Sequence, residues 1–148
     1  MILIKNILED ARGRLAVLGP EASVFDAAEI LANPNTPLAI VCDRRGIAVG
    51  VVSSTDVIKA FGRAKGDACT MNVEAIMTRS VFSCHVDQEL QSVWAALNAQ
   101  SLRSAPILDD SRRPQGVVHA RDLARALLDE VTSEEVLLRD YVLGIGYQ

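Results

Sequence analysis

This chain of 148 residues lacks the parts of a disulfide scaffold, a zinc site or a redox dithiol. Its three cysteines, Cys42, Cys69 and Cys84, are odd in number and none has C-x-x-C spacing, which fits a reduced cytoplasmic setting. No apolar run approaches the roughly 18–20 residues that span a bilayer. The N-terminal MILIKNILEDARGR carries Lys5, Glu9 and Asp10 where a secretory leader would stay apolar. The expectation is a soluble, cytoplasmic protein with no membrane partner. Lys and Arg form no run and the net charge is −4, which argues against a nucleic-acid partner. Glycine-rich phosphate loops of the GxxxxGKS or GxGxxG type are missing.

Catalytic chemistry is equally poorly supplied. His85 and His119 are the only histidines, and they suggest no Ser/His/Asp set. Cys42 and Cys69 have no evident base partner. Cys84-His85 would point to opposite faces of a strand, with no second pair of ligands at metal spacing. No enzyme is expected, and no metal or required cofactor. A small enzyme is kept as a rival reading only because turnover would reveal it.

What the sequence does have is a core and a repeat. It is 49% hydrophobic and 23% charged, enough apolar material to exclude a disordered chain. The phrase GVVSSTDV begins at Gly50 and GVVHARDL at Gly116, 66 residues apart. The same offset aligns Leu31 with Leu97, Ala39 with Ala105, Asp43 with Asp109, Asp56 with Asp122 and Ala60 with Ala126. Upstream, IKNILED resembles VEAIMTR at an offset of 69. Each copy reads as a short strand (RLAVL; SVFSC), then a helix capped by Ser23 or Asp87. A buried strand follows (LAIVCD; APILDD), then a polar turn and a second strand. A final helix enters at Ser53 or His119. The predicted fold class is therefore α/β, of the α+β kind, with two β-α-β-β-α repeats packed against each other. The divisions are 1–66 for the first repeat, 67–132 for the second and 133–148 for a C-terminal helical tail. Gly62–Asn72 serves as connector, and Ser133-Glu134-Glu135 marks a new helix start. The apolar side of that helix, Val136, Leu137, Tyr141 and Val142, either caps the core or docks a second subunit, with packing preferred. Trp94 falls on a helical stripe and is assigned to the core.

The repeated phrase has two readings. S-x-x-D is a variant of the capping box, which accounts for Ser53 and Asp56 with no ligand at all. In the second copy, however, His119 replaces the capping serine while Asp122 is kept. A carboxylate offers two acceptor oxygens to a sugar diol, and the adjoining helix N-terminus favours a phosphate. Compensation of the helix dipole would also retain Asp122, so both readings stand.

A doubled β-α-β-β-α unit, each copy closed by G-h-h-S/T-x-x-D, resembles a tandem pair of CBS domains, the regulatory domains named for cystathionine β-synthase. EAIMT before the second copy and LRSAPILDD within it are similar to other segments of that family. The resemblance covers nearly the whole chain and implies a pseudo-twofold CBS-domain pair, of the stand-alone bacterial type. It further implies a non-enzymatic regulatory module that binds an adenosine-containing ligand between the repeats, with no cofactor required. AMP, ADP, ATP, NAD(H) and S-adenosylmethionine are all candidate ligands, and energy sensing is one use of such a module. Carried over by position, Asp56 and Asp122 contact ribose, and Ser53 supplies the hydroxyl near phosphate. His119 departs from that hydroxyl, and Arg103 and Arg121 take phosphate-binding positions. Leu38, Ala39 and Ile40, with Ser104, Ala105 and Pro106, line the adenine region. Arg103 and Arg121 align with Pro37 and Thr55, so the second site is expected to suit a polyanion better than the first. Family members commonly form homodimers, and the signal would pass to a separate regulated protein. The alternative is a ligand-free dimerisation or scaffold module with degenerate nucleotide sites.

Overall fold

The computed structural model describes residues 1–146. A single 3-10 turn, Ile4–Ile7, leads into α1 (Leu8–Gly13), and the first repeat follows. It comprises β1 (Val17–Leu18), α2 (Val24–Leu31), β2 (Leu38–Cys42), β3 (Ala48–Ser53) and α3 (Ser54–Ala64). The 3-10 segments Lys65–Thr70 and Val73–Ala75 lead to the second repeat. There, α4 (Leu90–Ala99), β4 (Ser104–Leu108), β5 (Pro114–His119) and α5 (Ala120–Gly146) complete the described residues. The sheets are β1-β2-β3 and β4-β5.

β2, LAIVC, is buried at every position because both of its faces are covered, and its apolar, partly β-branched run suits such a strand. β3 alternates buried and half-buried residues, showing one face to the core. The 66-residue offset survives in fine detail. Both hairpins shift register at matching places, Val41/Cys42 and Ile107/Leu108. Both hairpin turns are held by one aspartate. Asp43 Oδ1 accepts from the backbone N–H of Arg45 and Ile47, and Asp109 Oδ1 from those of Ser111 and Arg113. The left-handed residue is Gly46 in the first turn (φ 79°) and Arg112 in the second (φ 64°).

Some sequence expectations need correction. SVFSC forms no strand ladder; its remnant is a single parallel bridge, Cys84 with Ile107, matching Leu18 with Val41 in the first copy. The N-cap position of α4 is Glu89, not Asp87, and its side chain makes no capping hydrogen bond. No helix begins at Ser133, because α5 runs through it unbroken from Ala120. Of that predicted apolar side, Leu137, Tyr141 and Val142 are exposed rather than packed on the core, while the side chain of Val136 lies outside the described residues. The connector is also less open than a linker, since Ala68 is fully buried in the first repeat's core.

The lead-in segments are exchanged between the repeats. Ile4 and Ala11 are buried in the core of the second repeat, with Leu90, Leu97, Ile107 and Leu123. Val73 and Met77, which precede α4 in the second repeat, are buried in the core of the first. Thr78 pairs with Val51 through two backbone hydrogen bonds, of 2.8 and 3.0 Å. Close approach explains the glycine of each repeated phrase. A Cβ on Gly116 would lie 2.9 Å from the backbone of Ala11, and one on Gly50 would lie 2.7 Å from Met77 Sδ. A third cluster, with Leu38, Ile40, Leu108 and Val117, joins the two sheets.

Candidate functional site

The end of β5 and the start of α5 bring together His119, Arg121 and Asp122. Two of the amides there are already engaged. The backbone N–H of Ala120 donates to the carbonyl of Arg103 at 2.7 Å, and that of Arg121 donates to His119 Nδ1 at 3.1 Å. The imidazole thus accepts from a first-turn amide as Ser53 Oγ does in the first copy, but from the residue two ahead rather than three. Accepting at Nδ1 puts the ring proton on Nε2. His119 is held below its ordinary pKa, first by burial and then by Arg121, with smaller contributions from Arg14 and Arg103; Asp122 opposes them.

Asp122 does not cap its helix in the manner of Asp56. Its Oδ2 accepts from Arg14, with Nη2 at 2.7 Å and Nε at 2.8 Å. Arg14 lies just past α1 and also donates through Nη1 to the carbonyl of Asn35 at 3.3 Å. Both charged side chains are largely covered, 15% and 23% exposed. Beside them, a cleft of about 210 Å³ runs between α1 and α5 over β5, lined by Asp10, Ala11, His119, Asp122, Arg125 and Asp129 among others. The cationic residue of that lining is Arg125; Arg14, Arg103 and Arg121 lie near enough to His119 to bias its imidazole.

The first repeat is arranged differently. Ser53 and Asp56 form a reciprocal capping box: Ser53 N–H donates to Asp56 Oδ2 at 2.9 Å, and Asp56 N–H to Ser53 Oγ at 3.4 Å. Thr78 Oγ1 adds a 3.4 Å contact to Asp56 Oδ1. Asp56 lines a second cleft, of about 350 Å³, with Lys59, Arg63 and Met77. The two aspartates of the repeated phrase therefore serve separate clefts.

Of the remaining predicted site residues, Leu38 and Ile40 are packed between the sheets and Ala105 in the second core, with Ala39 and Pro106 also buried and Ser104 half-buried. Arg103 and Arg121 are exposed. Arg14 went unnoticed in the sequence because its partner is 108 residues away. Its place as the first residue of the predicted strand RLAVL was the only signal. Cys84 is buried in the core, which pushes its thiol up to about 12, while His85 reaches outward to Asp110 at 3.1 Å.

The CBS domain family profile matches this chain twice, over residues 5–63 and 73–129. The chain belongs to the CBS-domain family. The fold agrees: the CBS domain pair of protein MJ0100, solved with 5′-methylthioadenosine and S-adenosyl-L-methionine, superposes with a TM-score of 0.75 at 27% identity, covering 88% of this chain and 98% of that one. A CBS-domain protein of Agrobacterium tumefaciens shares the fold at 23% identity and a TM-score of 0.74, over 84% of this chain and 98% of its own. In sequence, the CBS pair is 32% identical over 103 residues to an L-aspartate semialdehyde sulfurtransferase of Methanocaldococcus jannaschii. That match covers 70% of this chain but spans only 19% of the sulfurtransferase. An uncharacterised 17.7 kDa protein of Acidianus ambivalens is 29% identical, with 95% of this chain and 84% of that protein covered. Among the described residues of this CBS pair, no helix is long and apolar enough to cross a membrane.

Proposed function

We propose that this CBS pair is a non-enzymatic regulatory module that takes an adenosine-containing ligand at the Asp122 site and reports occupancy to a partner protein. The observation that carries the reading is the convergence of Asp122 with His119, Arg14, Arg103 and Arg121 beside an open cleft. A carboxylate suits a ribose diol, and guanidinium groups suit phosphate. The MJ0100 pair, bound to two adenosyl compounds, supports the same ligand class. AMP, ADP, ATP and NAD(H) fit the cationic end of the cleft, consistent with energy sensing in the cytoplasm. Exposed Ile58 and Phe61 on α3 and Leu128, Val131 and Leu138 on α5 favour a homodimer. A ligand shifts such a module only by its differential affinity for two arrangements of the repeats.

One observation favours the alternative, a scaffold with degenerate sites, for the first repeat: Asp56 is already engaged by Ser53 and Thr78. A thermal-shift panel of AMP, ADP, ATP, NAD, NADH and S-adenosylmethionine on wild type, Asp56→Ala and Asp122→Ala tests both. A shift lost in Asp122→Ala and kept in Asp56→Ala supports the proposal; saturation at a hundredfold over Kd corresponds to about 2.7 kcal/mol. No shift with any ligand supports the scaffold.

A further inference from the structure

We infer that Arg14 is the specificity-determining residue of the Asp122 site, selecting adenosyl ligands that carry phosphate over neutral or cationic ones. The inference rests on the adenosyl reading and narrows it to a ligand class. Arg14 donates twice to one oxygen of Asp122, at 2.7 and 2.8 Å, so the carboxylate's charge is already matched before any ligand arrives. Arg103 and Arg121 are exposed beside His119 at the start of α5, with no comparable carboxylate contact of their own among the described residues. Arg121 follows His119 by two residues and the Arg103 carbonyl accepts from Ala120 N–H, so with Arg14 and the cleft's Arg125 four guanidinium groups stand against Asp10, Asp122 and Asp129, and the surplus charge is positive. The acidic residues of the cleft, Asp10 and Asp129, lie one turn of α1 from Arg14 and two turns of α5 from Asp122.

An S-adenosylmethionine sulfonium placed at the cationic end would meet like charge, and a methylthioether would leave the surplus unanswered. A 5′-phosphate would meet it. Arg14 is the pivotal member of the set. Among the described residues it is the guanidinium that touches the carboxylate expected to hold ribose, so it can bridge ribose ligand and phosphate in a single contact set. Its third contact, to the carbonyl of Asn35 at 3.3 Å, fixes it against the loop between α2 and β2 of the first repeat, while Asp122 belongs to the second. A phosphate that draws Arg14 toward itself therefore pulls on a contact between the repeats, which a neutral nucleoside does not.

The test compares AMP with adenosine, which share base and ribose and differ only in the phosphate. Calorimetric titrations are run on wild type, Arg14→Gln and Arg14→Lys, with 5′-methylthioadenosine as a second neutral probe. Wild type should prefer AMP over adenosine by at least about tenfold. Arg14→Gln should collapse that ratio, weakening AMP while leaving adenosine unchanged or tighter, and Arg14→Lys should keep most of it. An equal loss for both ligands in Arg14→Gln assigns Arg14 a structural role and overturns the inference. So does a wild type that binds 5′-methylthioadenosine as tightly as AMP. A wild type that binds none of the three overturns the adenosyl reading itself, and this inference with it.

Discussion

Arg14 and Asp122 stand 108 residues apart in the chain and 2.7 Å apart in space. Their contact ties the lead-in segment to the last helix. Being mostly covered, the pair lies between the exposed ion pairs worth about 0–1 kcal/mol and the fully buried ones whose rupture costs about 3–5 kcal/mol. Asp122→Ala leaves a covered guanidinium without its counter-charge and is expected to destabilise the protein by about 1–3 kcal/mol in urea unfolding. The double variant Arg14→Gln with Asp122→Asn should recover part of that loss, because neither partner is then left charged and alone.

His119 gives the protein an acid-side sensitivity. Its folded-state pKa lies below the ordinary 6.5, so the unfolded chain takes up the proton first as pH falls. The stability associated with the neutral ring is fully present above about pH 6.5 and declines below it, down to the folded-state pKa. His119→Gln should flatten this part of the stability curve. Titration of the ring by NMR checks the direction, with a midpoint above 6.5 counting against it.

The two glycines of the repeated phrase should differ in cost. At Gly116 an added Cβ meets backbone, Ala11 C and O at 2.9 Å, which cannot turn aside. At Gly50 the nearest atoms belong to the Met77 side chain, with the Thr78 carbonyl at 3.0 Å. Overpacking of this kind costs about 1–3 kcal/mol. Gly116→Ala is expected at the upper end and Gly50→Ala at the lower, as compared by the denaturation midpoints of the two variants.

The hairpin turns offer a second pair. Gly46 and Arg112 hold equivalent left-handed conformations, which a side chain tolerates at a cost of about 1–2 kcal/mol. Gly46→Ala should lower stability by about 1 kcal/mol. Arg112→Gly should raise it by a few tenths to about 1 kcal/mol, the gain being limited by glycine's greater freedom in the unfolded chain. A fall in melting temperature for Arg112→Gly would contradict this.

The repeat was legible in the sequence because its signals are local. Asp43 and Asp109 aligned because each closes the same turn on itself, and the capping boxes at Ser23 and Ser53 could be read within four residues. The strand at SVFSC was over-read: apolar content suited it, but only Cys84 finds a partner in β4. The stop expected before Ser133 failed because nothing between Leu123 and Ser133 breaks a helix; a good start signal does not by itself end the helix before it. Arg14 and the exchanged lead-in segments were invisible for the opposite reason. Their partners are fixed only by tertiary packing, which no periodicity within a window records.

That exchange also bears on synthesis. Residues 4–11 find their buried place only against strands and helices that include Gly116 and Leu123. At a translation rate of about 5–20 residues per second, Ile4 and Ala11 wait on the order of 5–20 s for those partners to be made. During that interval this apolar segment of the nascent chain stays unsheltered. The second repeat's core cannot close until that earlier-made segment has returned to join it.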